Sequence, residues 1–119
     1  MKYLCLIYNE ERHLAAMPPA AVEAIAGERV AYDATLTRAG QFVACERLQP
    51  TRTAATVRFR DGKATVTDGP FAETKEQLAG FYLIEAKDRE EAIRIATGIP
   101  PARLGCVEVR PVWDYGKPA

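Results

Sequence analysis

Histidine is nearly absent: His13 is the single one in 119 residues, so a catalytic metal centre built on several imidazoles has no ligands to draw on. Cysteine is scarce and odd in number. Cys5, Cys45 and Cys106 stand far apart, each inside an apolar segment, which suits reduced packing thiols better than disulfides. Nothing beside them in the sequence marks a lowered thiolate pKa. Net charge is absent too, because 16 Lys+Arg cancel 16 Asp+Glu, and no whole-molecule field draws the chain toward nucleic acid or an anionic membrane. No apolar run reaches the roughly 18 residues that cross a bilayer. The opening Met1-Lys2-Tyr3-Leu4-Cys5-Leu6-Ile7-Tyr8 has no small-residue cleavage pattern, so the expectation is a cytoplasmic protein without membrane contact. With 8 Gly, 8 Pro and 48% hydrophobic residues, collagen-like, low-complexity and disordered classes are excluded. One globular domain over residues 1–119 is what the length allows.

What is present is a clear alternation of periods. Lys2 to Tyr8 is rich in β-formers and the polar Asn9-Glu10-Glu11-Arg12 closes it, predicting a strand and then a loop. Pro18-Pro19 suits a first helical turn, and a helix is expected to about Ala39, with Gly40 placed to take the left-handed conformation that commonly ends one. Gln41 to Leu48 alternates as a second strand. Ala55 to Arg60 and Lys63 to Thr67 flank Asp61-Gly62, a strong hairpin signal. After the irregular Asp68 to Gln77, Leu78 to Ala86 reads as a strand. Asp88 and Glu91 form an Asp version of the capping box before the stripe Ala92, Ile95, Ala96 and Ile99, and Gly98 with Pro100-Pro101 ends that helix. Leu104 to Val112 is the last strand, and Trp113 to Ala119 a tail.

The order predicts an α+β fold, a ferredoxin-like βαββαβ plan with an inserted β-hairpin. Two helices can cover one face of such a sheet. Yet Tyr3, Cys5 and Ile7 alternate with Leu4, Leu6 and Tyr8, and Tyr82 and Ile84 with Phe81 and Leu83, so both faces are apolar. Leaving the second face in water would cost roughly 1.5–3 kcal/mol per large side chain, and a twofold homodimer packing sheet on sheet is the economical remedy. Glu46, Glu85, Glu108 and Arg110 are expected on that face, either lining a polar pocket or guarding edges.

Candidate functional residues gather in the segment Asp68-Gly69-Pro70-Phe71-Ala72-Glu73-Thr74-Lys75-Glu76. Glycine, proline and an Asp that accepts from downstream N–H groups predict a rigid turn. Rigid loops at strand ends also carry binding groups, so Asp68 is at once a turn residue and a candidate acid/base, and Phe71, Glu73 and Lys75 are candidate ligand contacts. Arg29 falls on one helical face with Val22, Ile25, Tyr32 and Leu36, where a guanidinium aimed at the sheet would require an anion. The alternative face, Ala26, Val30 and Ala34, would leave Arg29 at the surface. His13 reads as a solvated loop residue or as an acid/base near the mouth of the fold. The basic run Arg47, Arg52, Arg58, Arg60 and Lys63 is interrupted by acids and has little aromatic interleaving, which suits a solvated strand better than an RNA site.

Asp68 to Glu76, followed by Leu78-Ala79-Gly80-Phe81-Tyr82-Leu83-Ile84-Glu85, resembles the signature of the DGPF branch of the YCII-related proteins. The likeness extends to Met1–Tyr8, to Ala39-Gly40 and to Glu108-Val109-Arg110-Pro111-Val112. It implies a ferredoxin-like fold paired into a dimeric α+β barrel, and a wider group that includes chloromuconolactone dehalogenase-like enzymes. It also implies an association with extracytoplasmic-function sigma factors. The group's proposed histidine–aspartate pair places its histidine near position 29, where this chain has arginine, and Asp68 stands as a counterpart of the acidic member.

The expectation is a small-molecule binder, its ligand lying between sheet and helix near the dimer mouth. If catalytic, it would run proton transfer, isomerisation or dehalogenation on a small carboxylated metabolite, with Asp68 moving the proton, Arg29 or Lys75 holding the anion and Phe71 as a wall. No cofactor or metal is implied. The competing expectation is a non-catalytic regulatory or protein-interaction partner of a sigma factor, with nucleic acid least favoured.

Overall fold

The computed structural model describes residues 1–117; Pro118 and Ala119, the end of the expected tail, lie outside the described residues. Along the chain run β1 (Lys2–Asn9), α1 (Glu11–Ala16), α2 (Pro19–Arg38), β2 (Phe42–Arg47), β3 (Ala55–Arg60), β4 (Lys63–Asp68), β5 (Gln77–Glu85), α3 (Arg89–Gly98) and β6 (Gly105–Pro111), with 3₁₀ turns at Thr51–Thr53 and Pro100–Leu104. The architecture is α+β, as the alternation of periods predicted. Among the described residues no helix is long and apolar enough to cross a membrane.

β1 lies inside a four-stranded antiparallel sheet of order β2-β5-β1-β6, paired with β5 on one side and β6 on the other. Period-two alternation divides each strand between two faces. Tyr3, Cys5, Ile7, Tyr82 and Ile84 are buried beneath Leu36 of α2 and Ala92, Ile95 and Ala96 of α3, and together they form the core. Tyr32 fastens the helices to each other: its hydroxyl donates to the Ile95 carbonyl at 2.6 Å. Gly98 is the partner that permits this, since a Cβ there would fall 2.5 Å from the Tyr32 hydroxyl oxygen. Leu4, Leu6, Tyr8, Phe81 and Leu83 point to the opposite face and are half-buried.

The register sets the charged residues around that second face. Phe81 stands opposite Glu46, Leu6 opposite Glu108 and Leu4 opposite Arg110, with Lys2 opposite Glu85 at one end of the central strands, so apolar side chains hold the middle of the face and charges stand on the edge strands and at that end. The rim is partly self-paired, with Met1 N to Glu85 at 3.2 Å and Arg110 to Glu108 at 3.6 Å. β3 and β4 form a separate two-stranded sheet. Their turn has φ of 51° at Asp61 and 76° at Gly62, the paired positive values that a two-residue hairpin requires.

Several local expectations need correction. The segment after β1 is not a plain loop: Glu11–Ala16 is a short helix, too brief to show a helical period, and His13 sits on it, exposed. Asp88 caps α3 by accepting from Glu91 N at 2.9 Å, but the Glu91 carboxylate returns to Lys87 N at 3.0 Å rather than to Asp88, so the box is displaced by one residue. Cys106 is exposed because it pairs with Tyr8 on the second face, whereas Cys5 is buried and Cys45 half-buried. Of the two faces open to α2, the one holding Arg29 turns to the sheet. Val22, Ile25, Arg29 and Tyr32 are half-buried, while Val30 is 67% exposed and Ala26 and Ala34 are exposed with it.

Candidate functional site

Between α2 and the helix-covered side of the sheet lies a cavity of about 300 Å³, at the small end of the range for ligand sites. Its walls are mostly apolar: Ile7 and Leu78 from the sheet, Val22 and Ile25 from α2, Leu14 and Met17 from the segment around α1, and Leu104. Two guanidinium groups, Arg29 of α2 and Arg47 of β2, line the same space.

The mouth is built by hydrogen bonds from α1. Glu11 accepts from Thr51 N at 2.8 Å and from the Thr51 hydroxyl at 2.9 Å, and its own N–H donates to Gln77 at 2.9 Å. Those bonds tie α1 to the first 3₁₀ turn and to the start of β5. At the floor, Asn9 is buried and donates through Nδ2 to the carbonyls of Tyr8 at 3.0 Å and Pro101 at 3.2 Å.

Beside Arg29 is a polar cluster. Asp33 accepts from the Tyr82 hydroxyl on Oδ1 and from the Cys45 thiol on Oδ2 at 3.5 Å. Tyr82 and Cys45 face each other across the β2–β5 register, which is why two donors from neighbouring strands converge on one carboxylate. Burial pushes the Tyr82 pKa up, the Asp33 hydrogen bond and charge push it further, and the Arg29 charge works against them. The Cys45 thiol is raised mainly by burial and then by Asp33, with Arg29 again opposing. Both groups therefore stay protonated at neutral pH, and Cys45 is a donor rather than a thiolate nucleophile.

Arg29 pairs with no acid among the described residues. Among the described residues the ion pairs join Met1 to Glu85, Arg94 to Glu91, Arg103 to Glu28 and Arg110 to Glu108, and neither Arg29 nor Arg47 takes part in one.

Of the candidate catalytic and ligand-contacting residues, Arg29 alone lines this cavity, and Glu46, expected on the opposite face, lines it as well. Asp68, Phe71, Glu73, Lys75 and His13 do not, and all five are exposed, Phe71 at 78%. The Asp68–Glu76 segment is nonetheless anchored at its start: Gly69 N donates to Ala54 O at 2.7 Å, and the Thr56 hydroxyl to Gly69 O at 2.8 Å. Sequence reasoning missed Asp33, Tyr82, Arg47 and Glu11. A signal for Asp33 was available, because it follows Arg29 by four residues and so shares its side of the helix.

The family model for the YCII-related domain matches residues 1–115. An uncharacterized protein of Rhizobium meliloti (strain 1021) is 40% identical over 117 residues, covering 97% of this chain and 94% of its own length.

Proposed function

This chain belongs to the YCII-related family, and on that footing we propose that the cavity between α2 and the sheet binds a small carboxylated metabolite. One observation carries the reading: a half-buried arginine, Arg29, lines an apolar cavity while the acid four residues along its own helix is occupied by Tyr82 and Cys45. A carboxylate offered by a ligand would meet an arginine fork that can bind it in bidentate fashion, with Arg47 adding charge. The apolar walls suit the rest of the molecule. Binding comes ahead of chemistry in this reading; proton transfer, isomerisation or dehalogenation would follow on the bound acid.

The sheet order β2-β5-β1-β6 fits the ferredoxin-like plan, and the half-buried second face supports closure by a twofold partner into an α+β barrel. A second reading, a non-catalytic interaction protein, draws support from Phe71, which stands exposed on an anchored loop.

Titration calorimetry with hexanoate and benzoate, each against its neutral alcohol, tests the ligand class. Arg29→Gln is expected to weaken carboxylate binding at least tenfold, about 1.4 kcal/mol, and to leave the alcohols unchanged. Equal affinity of the two proteins for both acids would sink the proposal.

A further inference from the structure

Arg29 and Asp33 stand four residues apart on α2, a spacing at which helix side chains meet and opposite charges can pair. They do not pair here: Arg29 is in none of the ion pairs among the described residues. The carboxylate is turned instead to two neutral donors on the sheet, Tyr82 and Cys45. Those donors are firmly held. Tyr82 is 1% exposed, and its ring sits edge-on to Phe42 with centroids 6.3 Å apart. Cys45 lies directly across the strand register from it. The acids that line the cavity itself are Glu11, already committed to Thr51, and Glu46 on β2.

We propose that Tyr82 and Cys45 form a latch on Asp33, engaging both carboxylate oxygens so that the Arg29 guanidinium stays unneutralised and open to the carboxylate of a ligand. The inference rests on the carboxylate reading above and adds positioning residues to it. Tyr82 acts without touching the ligand. Its hydroxyl determines where the Asp33 charge points, and that in turn determines whether Arg29 is free. Without the hydroxyl, Oδ1 loses its donor, and the guanidinium four residues back on the same helix is the charged donor spaced to replace it. Asp33 then competes with the ligand for one binding group.

Two measurements test the latch. The first needs no ligand: unfolding equilibria give a double-mutant cycle between Arg29→Gln and Asp33→Asn in two backgrounds. The coupling is expected to be at least fivefold larger, as a ratio of equilibrium constants, in Tyr82→Phe than in the wild type. Equal couplings overturn the latch. The second uses hexanoate, with 1-hexanol as the uncharged control. Tyr82→Phe should weaken hexanoate about tenfold, Tyr82→Phe with Asp33→Asn should restore at least wild-type affinity, and 1-hexanol should bind all three alike. A double variant as weak as Tyr82→Phe alone, or an equal loss for 1-hexanol, would mean that the hydroxyl is merely structural. Should Tyr82→Phe not fold, Cys45→Ala removes the other donor and is expected to act in the same direction. Failure of the latch leaves the Arg29→Gln effect on hexanoate intact, whereas failure of the carboxylate reading abolishes that effect, so the two are told apart.

Discussion

Cys5 shows how far position alone can change one residue. It sits in the middle of β1 with none of its surface exposed, and burial pushes its thiol from 9.0 up to about 11. A thiol that ionises later in the folded chain than in the unfolded one makes stability depend on pH with a definite sign. Below pH 9 both states hold the proton and nothing changes; between the unfolded and folded values the unfolded chain sheds it first, so stability falls as pH rises. Cys45, Tyr32 and Tyr82 are raised as well and act in the same direction. Urea unfolding is therefore expected to give constant stability from neutrality to about pH 9 and a decline from there to pH 11, shallower in Cys5→Ala. A stability that rises across that interval, or a Cys5→Ala profile of unchanged slope, would contradict this account of the core.

At the scale of elements, α1 is a short helix held by its bonds to other parts of the chain. Six residues are too few to persist as a helix in water by themselves. Its place at the cavity mouth depends on Glu11, which spans to Thr51 and Gln77. Glu11→Ala should cost about 1.5–3 kcal/mol, the range for hydrogen bonds to a charged group. It should also speed amide exchange of Thr51 and its neighbours at least tenfold while leaving the β1–β5 amides protected. Uniform acceleration across both regions would show that α1 is not anchored independently of the sheet. The same contrast explains what could be read in advance. Strands with a period of two, the Asp61-Gly62 turn and the Asp88 cap announce themselves within a few residues, so the long elements and the hairpin were legible. α1 was not, because its contacts lie 40 and 66 residues away. Arg29 was legible as a member of an apolar stripe, but its meaning depends on Tyr82, which reaches Asp33 across 49 residues of chain. The Asp68–Lys75 segment, conspicuous in composition, lies exposed and apart from the cavity.

The whole molecule is flat, 46 × 46 × 19 Å, and two apolar surfaces remain on it after folding. One is the second face of the four-stranded sheet, apolar along the middle of β1 and β5 and charged along β2, β6 and the Lys2–Glu85 end, the core-and-rim pattern of a protein interface. The other belongs to the β3–β4 hairpin, whose register sets Val57 opposite Val66 and Phe59 opposite Ala64 on one side. Val57 is 54%, Phe59 74% and Val66 68% exposed, and an isolated two-stranded ribbon is marginal in water. From strand rise and spacing, the sheet face has a footprint of about 450 Å² and the hairpin face about 200 Å², against roughly 800 Å² per partner in a standard stable interface. The sheet alone falls well short, and the two surfaces together come close, so a twofold pair should use both. Sedimentation equilibrium at micromolar concentration is expected to show a dimer, Leu6→Glu with Phe81→Glu a monomer, and Val57→Thr with Phe59→Ser a dimer at least tenfold weaker. A hairpin variant that dimerises as tightly as the wild type would confine the contact to the sheet. A wild-type chain still monomeric at 100 times that concentration would leave both surfaces facing water, at an energetic cost that burial of the core on the other side of the same strands would have to offset.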